Sequence, residues 1–217
     1  MKTLKEKIPL LKPEHRLYKV SNPIIGLTGG IATGKSTVSK DLLKKGFHII
    51  DADQLIKDIY KKEKTFNFIQ DNYPKVIESN SINFSLLRTL LFSSPLELKR
   101  VENFLYPQLK EEFLKNSPKN KKELIIYDIP LLFEKNLQQK VDFCALVYSD
   151  KTTQINRVIE RDNCSREIAE KILENQLSLE KKKDMSHYVL INTAETTTSS
   201  LSHQIDQFIN TIIDKSI

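Results

Sequence analysis

Gly26-Leu27-Thr28-Gly29-Gly30-Ile31-Ala32-Thr33-Gly34-Lys35-Ser36-Thr37 is the stretch on which the reading of this chain turns. Gly29, four residues, then Gly34-Lys35-Ser36 spell the phosphate-loop pattern G-x-x-x-x-G-K-[ST]. The flanks agree with it. Ile24 to Thr28 is a short apolar run that reads as a buried strand, and Val38, Leu42 and Leu43 are spaced as on an amphipathic helix. Strand, glycine loop and helix together turn successive backbone N–H groups onto phosphate oxygens, and the helix N-terminus adds partial positive charge. In this reading Gly29, Gly30, Ile31, Ala32, Thr33, Gly34, Lys35, Ser36 and Thr37 bind ATP. Lys35 reaches the β- and γ-phosphates, and the Ser36 hydroxyl holds Mg²⁺.

Working outward, Gly46 follows Lys44 and Lys45 as a helix C-terminal residue. Phe47 to Ile50 is a second strand, ending in Asp51-Ala52-Asp53, and a helix is expected from about Ala52 to Lys62. Between Lys64 and Pro118 helical spacing dominates: Leu86, Leu87, Leu90 and Leu91 form one stripe, Leu98, Val101, Leu105, Leu109 and Phe113 another. Ser79-Asn80-Ser81 and Ser93-Ser94-Pro95 read as turns. Three further apolar runs, Leu124 to Asp128, Val141 to Tyr148 and Tyr188 to Ile191, read as strands. Continuous apolar strands alternating with helices predict an α/β fold with a five-stranded parallel sheet covered on both faces. Between the last two strands two charged helices are expected, about Thr152 to Arg161 and Ser165 (an N-cap) to Lys183, the second with Ile168, Ile172 and Leu179 on one face. A last helix runs from about Ser199 to Asp214. Residues 1–22 precede the first strand; Met1 to Glu6 reads as a frayed basic tail, and Pro9, Pro13 and Pro23 argue against one continuous helix.

Composition narrows the class. The chain has 217 residues, 39% hydrophobic and 29% charged, which suits one globular core with insertions. No apolar run approaches the ~20 residues needed to span a bilayer, and the basic N-terminal stretch lacks a signal peptide's apolar block. A cytoplasmic protein without a membrane partner is expected. The net charge of +6 favours anionic partners, but the lysines are scattered without interleaved aromatics, so a polyphosphate substrate is expected rather than nucleic acid. Cys144 lies in an apolar run and Cys164 in a polar turn, and neither they nor the four histidines show metal spacing. All five glycines, Gly26, Gly29, Gly30, Gly34 and Gly46, fall early. The D-x-x-G of a GTPase and the later glycine signature of a transporter ATPase are therefore absent, and a small-molecule kinase remains.

Phosphoryl transfer needs a phosphate cradle, a metal, a base for the acceptor hydroxyl and cations over the transferring group. Asp51 and Asp53 follow the second strand, at the sheet edge where α/β ligands lie. Asp51 suits a helix N-cap and Asp53 the base, although both also read as caps. Asp128 ends the strand beside the first and suits Mg²⁺ through water, or alternatively the start of a turn before Pro130. Arg157 and Arg161 lie one helical turn apart in a charged hairpin with little apolar surface. That pattern fits a mobile lid over ATP, or a solvated face paired with Glu160 and Asp162.

Taken together, the loop, Ile50-Asp51-Ala52-Asp53, Asp128-Ile129-Pro130-Leu131-Leu132-Phe133-Glu134, Arg157 to Asp162, Gln176 and Val189-Leu190-Ile191-Asn192 resemble, in order, the dephospho-coenzyme A kinase family. The resemblance runs from about residue 24 to 210. It implies a phosphate-loop kinase core of residues 24–63, 119–150 and 185–217, a helical acceptor domain of 64–118 and a lid of 151–184; the N-terminal extension of 1–23 is not typical of the family. It further implies transfer of the ATP γ-phosphate to the ribose 3′-hydroxyl of dephospho-coenzyme A, with Asp53 where the family places its base and with Gln176 and Asn192 at matching site positions. A monomer or weak oligomer is expected. Another acceptor, a nucleoside or nucleotide, or a nucleotide-binding protein without turnover, are the alternative readings. Ala32 stands where the family usually has glycine, which a φ below zero would tolerate; Phe84 stands near its usual arginine, and Tyr106-Pro107 replaces His-Pro.

Overall fold

The computed structural model describes residues 2–5 and 8–213. In chain order its elements are β1 (Ile24–Gly29), α1 (Lys35–Lys44), β2 (His48–Asp51), α2 (Ala52–Tyr60), α3 (Glu63–Asn72), β3 (Ile77–Glu78), β4 (Ser81–Ile82), α4 (Phe84–Ser93) and α5 (Pro95–Asn116). They continue with β5 (Ile125–Asp128), β6 (Phe143–Tyr148), α6 (Lys151–Asp162), α7 (Arg166–Glu174), α8 (Leu179–Asp184), β7 (Tyr188–Ile191) and α9 (Thr198–Ile212). The expected end of the last helix at Asp214, and the ends of the expected tail at Met1 and Glu6, lie outside the described residues.

Two compact units emerge. The first holds the described residues up to Asp51 and from Ser117 onward; the second is Ala52–Asn116. The second thus begins at Ala52, where residue 64 was expected, and ends at Asn116.

In the first unit a five-stranded parallel sheet runs β2-β5-β1-β6-β7. β1 is central and buried at all six positions, which is why it reads as an unbroken apolar run rather than an alternating one. Its Ile25 and Leu27 meet Val38 and Leu42 of α1 and Leu201, Ile205, Phe208 and Ile212 of α9 in one core. Register places Leu27 beside Asp128, and Asp128 beside Asp51, at the carboxyl ends of the strands. α1 closes with a left-handed Gly46 at φ 80°, Gly46 N–H donating to Leu43 O and Phe47 N–H to Leu42 O. That is a Schellman ending, which releases the chain into β2.

The N-terminal stretch is part of this unit. Leu4 and Ile8 join the core, and Leu4 pairs with Ile213 in an isolated antiparallel bridge. Short 3₁₀ turns at Pro13–His15 and Leu17–Lys19 flank a buried Arg16.

The second unit packs α2, α3, α4 and α5 around Ile59, Ile69, Leu87, Val101 and Leu105, with Phe68 and Phe104 stacked 3.8 Å apart. Between α3 and α4 lies a two-stranded hairpin, β3-β4, that helical periodicity gave no hint of. Ser79 and Asn80, read as a turn, form its two-residue loop with both φ positive, as a I′ turn requires.

The region expected as a two-helix lid differs. Its second helix is broken into α7 and α8. Leu177 N–H is drawn away to Glu134 Oε1 at 3.1 Å, and Ser178 caps α8 by accepting from Lys181 N–H. Ile168, expected on one face with Ile172 and Leu179, is 51% exposed, and its neighbour Ala169 is buried. Nor is the hairpin weakly packed: Ile155, Val158 and Ala169 are buried together with Ile31 and Ala32 against them.

Candidate nucleotide site

β1 ends at Gly29 and α1 begins at Lys35, so Gly30 to Gly34 form the connecting loop. Gly34 is the residue before the helix, at φ 83°, and its carbonyl accepts the first helical bonds from Thr37 and Val38 N–H. A helix leaves its first N–H groups without intrahelical partners, and here they open onto the loop.

The outer side of the loop is gripped. Gln154 Nε2 donates to Ile31 O at 2.6 Å, Arg157 Nη1 to Ala32 O at 3.2 Å and Asn192 Nδ2 to Thr33 O at 2.8 Å. Gln176 Oε1 accepts from Ile31 N–H at 3.0 Å. In a trans peptide the N–H points opposite the C=O. Drawing the carbonyls of Ile31 and Thr33 outward therefore turns the N–H groups of Ala32 and Gly34 inward, the arrangement of an anion-binding nest, while Thr33 N–H donates to Gly30 O at 3.4 Å. Thr33 locks the turn by donating Oγ1 to Gly30 O at 3.0 Å. Ala32 has φ 58°, which corrects the expectation of a negative φ: the loop needs a left-handed residue here, and this chain puts a Cβ on it.

Lys35 Nζ is paired with Asp128 Oδ1, and Ser39 Oγ donates to Asp128 Oδ2 at 2.6 Å. Asp128 is buried at the end of β5, so its charge is balanced by Lys35. Arg157 also donates to Asn192 O at 3.0 Å and Thr193 O at 3.3 Å, fixing α6 to the turn after β7. Arg161 does not join it. It is exposed and pairs with its neighbour Asp162 at 2.7 Å. The paired-surface reading thus describes Arg161 and not Arg157. Gln154, Ser39 and Lys182 were not singled out from sequence. Each is a polar residue inside a helix, and neither spacing nor composition marks one that turns toward a loop.

Asp53 belongs to the second unit, in the first turn of α2. There it lines a cavity of about 1140 Å³. Lys57, Lys61 and Arg88 contribute cations to that cavity, and Ile56, Phe84, Leu87, Leu91 and Phe92 an apolar wall. Phe84 meets Tyr60 edge-on, ring centroids 5.2 Å apart, and burial pushes the Tyr60 phenol pKa up.

Mg²⁺ prefers few protein ligands plus phosphate oxygens and water. Among the described residues no cluster of three or more His, Cys, Asp or Glu side chains is poised to hold a metal. The hard oxygens of Ser36 and Asp128 beside the loop fit the phosphate-shared mode. No helix of the described residues is long and apolar enough to cross a membrane.

A central parallel strand feeding a gripped glycine loop, with a lysine at the helix start and a buried aspartate on the adjacent strand, defines a phosphate-loop kinase. The family model for dephospho-CoA kinase matches residues 23–198, and the chain belongs to that family. It is 37% identical over 191 residues to a dephospho-CoA kinase of Fusobacterium nucleatum, covering 87% of this chain and 98% of the relative. A dephospho-CoA kinase of Streptococcus pneumoniae is 37% identical over 174 residues, covering 78% and 87%. Among solved structures, a Thermus thermophilus protein superposes with a TM-score of 0.79 at 26% identity, covering 87% of this chain and 96% of that one.

Proposed function

We propose that this chain transfers the γ-phosphate of ATP to the ribose 3′-hydroxyl of dephospho-coenzyme A, yielding coenzyme A and ADP. The family membership supports the acceptor over a nucleoside. The observation that carries the donor half is the loop whose carbonyls are held outward by Gln154, Arg157 and Asn192. The inward N–H groups bind the phosphates, and Lys35 exchanges Asp128 for the β- and γ-phosphate oxygens. Ser36, with Asp128 through water, would hold Mg²⁺, which supplies neutralisation of the phosphate charge. Released by Lys35, Asp128 is the carboxylate suited to that second role.

In the acceptor half, Asp53 takes the proton of the 3′-hydroxyl as its oxygen bonds to phosphorus and the bond to the ADP oxygen breaks. The cavity around Asp53 suits the acceptor chemically: Lys57, Lys61 and Arg88 for its diphosphate, the apolar wall for its base and pantetheine arm. The second unit is thus read as the acceptor domain, 151–184 as the lid and 1–23 as an extension of the core. Arg157 anchors the lid on the loop. Arg161, on the same helix, exchanges Asp162 for the transferring group. Asp51, next to Asp128 in register, leads the chain toward the base.

Purified protein with ATP, Mg²⁺ and a panel of acceptors, followed by ADP release, tests this. ADP formed with dephospho-coenzyme A alone is expected. ADP formed with a nucleoside instead, or no ADP with any acceptor despite ATP binding, overturns the reading. Asp53→Asn should lower turnover about 10²–10⁴-fold while ATP affinity is retained; a near-normal rate removes Asp53 as the base.

A further inference from the structure

Lys182, in α8, is fully buried, with no exposed surface. A lysine in that position is costly unless paired and hydrogen-bonded, and its partners show what it holds. Nζ lies 2.7 Å from Glu134 Oε1 and donates to Gly29 O at 3.3 Å and Pro130 O at 3.4 Å. Gly29 ends β1 and is the root of the phosphate loop. Pro130 follows Asp128 on the neighbouring strand β5, the aspartate that holds Lys35. Glu134 Oε1 also accepts from Leu177 N–H, one residue beyond the Gln176 that holds Ile31 N–H. One buried ammonium therefore joins the carboxyl ends of β1 and β5 to α8.

We propose that Lys182 is a positioning residue for the phosphates of ATP. Through the carbonyls of Gly29 and Pro130 it sets the distance between the loop root and the strand bearing Asp128. It thereby keeps the cradle formed before nucleotide arrives. An apolar residue of the same length would fill the space but leave Gly29 O, which lies beyond the last ladder bond between the strands (Ile129 N–H to Leu27 O at 2.9 Å), without this donor, and the loop N–H groups would lose their common focus. The inference rests on the reading that the loop takes ATP.

The test separates geometry from fold. Lys182→Met is made together with Glu134→Gln, so that no buried charge is left unpaired and the acceptor for Leu177 N–H is kept. A second pair, Lys182→Gln with Glu134→Gln, also lacks the charges but retains N–H donors for the carbonyls. Melting temperatures and circular dichroism establish folding, and MgATP binding is measured by calorimetry. The Met pair is expected to bind MgATP about 10- to 100-fold more weakly than wild type, with the KM for acceptor unchanged, and the Gln pair to recover most of that loss. A folded Met pair binding within threefold of wild type, or Met and Gln pairs binding alike, overturns the proposal. Wild-type protein that fails to bind MgATP sinks the ATP reading instead. Hydrogen exchange on the nucleotide-free wild type needs no variant to fold: the N–H groups of Ile31 and Thr33, which donate to Gln176 Oε1 and Gly30 O, should exchange well below peptide rates, and exchange there at peptide rates overturns the positioning role.

Discussion

At Ala32 the loop asks for a conformation that its side chain resists. A Cβ at φ 58° crowds the carbonyl that follows, and the residue is held there by Arg157 on its own carbonyl and Gln154 on that of Ile31. Ala32→Gly should relieve the strain and raise stability by roughly 0.5–1 kcal/mol, read as a higher urea midpoint at unchanged slope. A lower midpoint would mean that the packing of the Ala32 methyl in the Ile155–Val158 cluster outweighs its backbone strain. Gly34 offers no such tolerance. A Cβ there would stand 2.2 Å from Asn192 Nδ2 and displace the amide that holds Thr33 O. Burial of a different kind governs Cys144, whose thiol pKa is pushed up to about 12 with no exposed surface; it is a core residue, as its apolar run suggested.

Helix ends decide the arrangement of elements around the loop. α6, which contributes Gln154 and Arg157, starts at Asp150, whose carboxylate accepts from Thr153 N–H at 2.8 Å and Thr153 Oγ1 at 2.6 Å. These bonds hold its pKa below the ordinary carboxylate value, the Thr153 hydroxyl contributing most. Asp150→Ala should cost about 1 kcal/mol at pH 7. Because the folded pKa is depressed, that contribution is complete above the unfolded value of about 3.9 and is lost as pH falls through the lower folded value. The stability difference between wild type and variant, measured by denaturant titration, should therefore shrink below pH 4; a difference constant down to pH 2 would show that the ionised carboxylate is not the cap. Such caps were partly legible. Ser165 and Gly46 stand where their residue types led us to expect them. The break between α7 and α8 was not, because Ile172 and Leu179 keep helical spacing across it. The acceptor that ends α7, Glu134, lies more than forty residues away in the chain.

For the whole molecule, the N-terminal stretch is fastened by one buried network. Arg16 Nε lies 2.8 Å from Asp142 Oδ2, its Nη2 donates to Asp142 Oδ1 at 2.8 Å, and it donates further to the carbonyls of Leu11, Val20 and Ser21. Asp142 in turn accepts from Leu11 and Ile24 N–H. The same carboxylate thus holds the start of the central strand and the segment before it. Arg16→Met should cost about 3–5 kcal/mol, since it leaves Asp142 buried and unpaired. Equilibrium unfolding measures this; a loss below about 1 kcal/mol would mean that the two backbone N–H groups satisfy Asp142 alone.

Residue type and spacing alone made the phosphate loop, the strands and their parallel arrangement readable, because glycine freedom, apolar runs and capping are local properties of the chain. They also marked Asp128 by its place at a strand end, whereas Gln176 and Asn192 were marked only by the family resemblance. What they left open depended on partners distant in sequence. Lys35 on Asp128, Arg157 on Ala32 rather than beside Arg161, and buried Lys182 beneath Gly29 are decided by which side chains the folded sheet brings within hydrogen-bond reach. A buried polar group must find its partner wherever the fold supplies one, and no spacing rule in the chain records where that is.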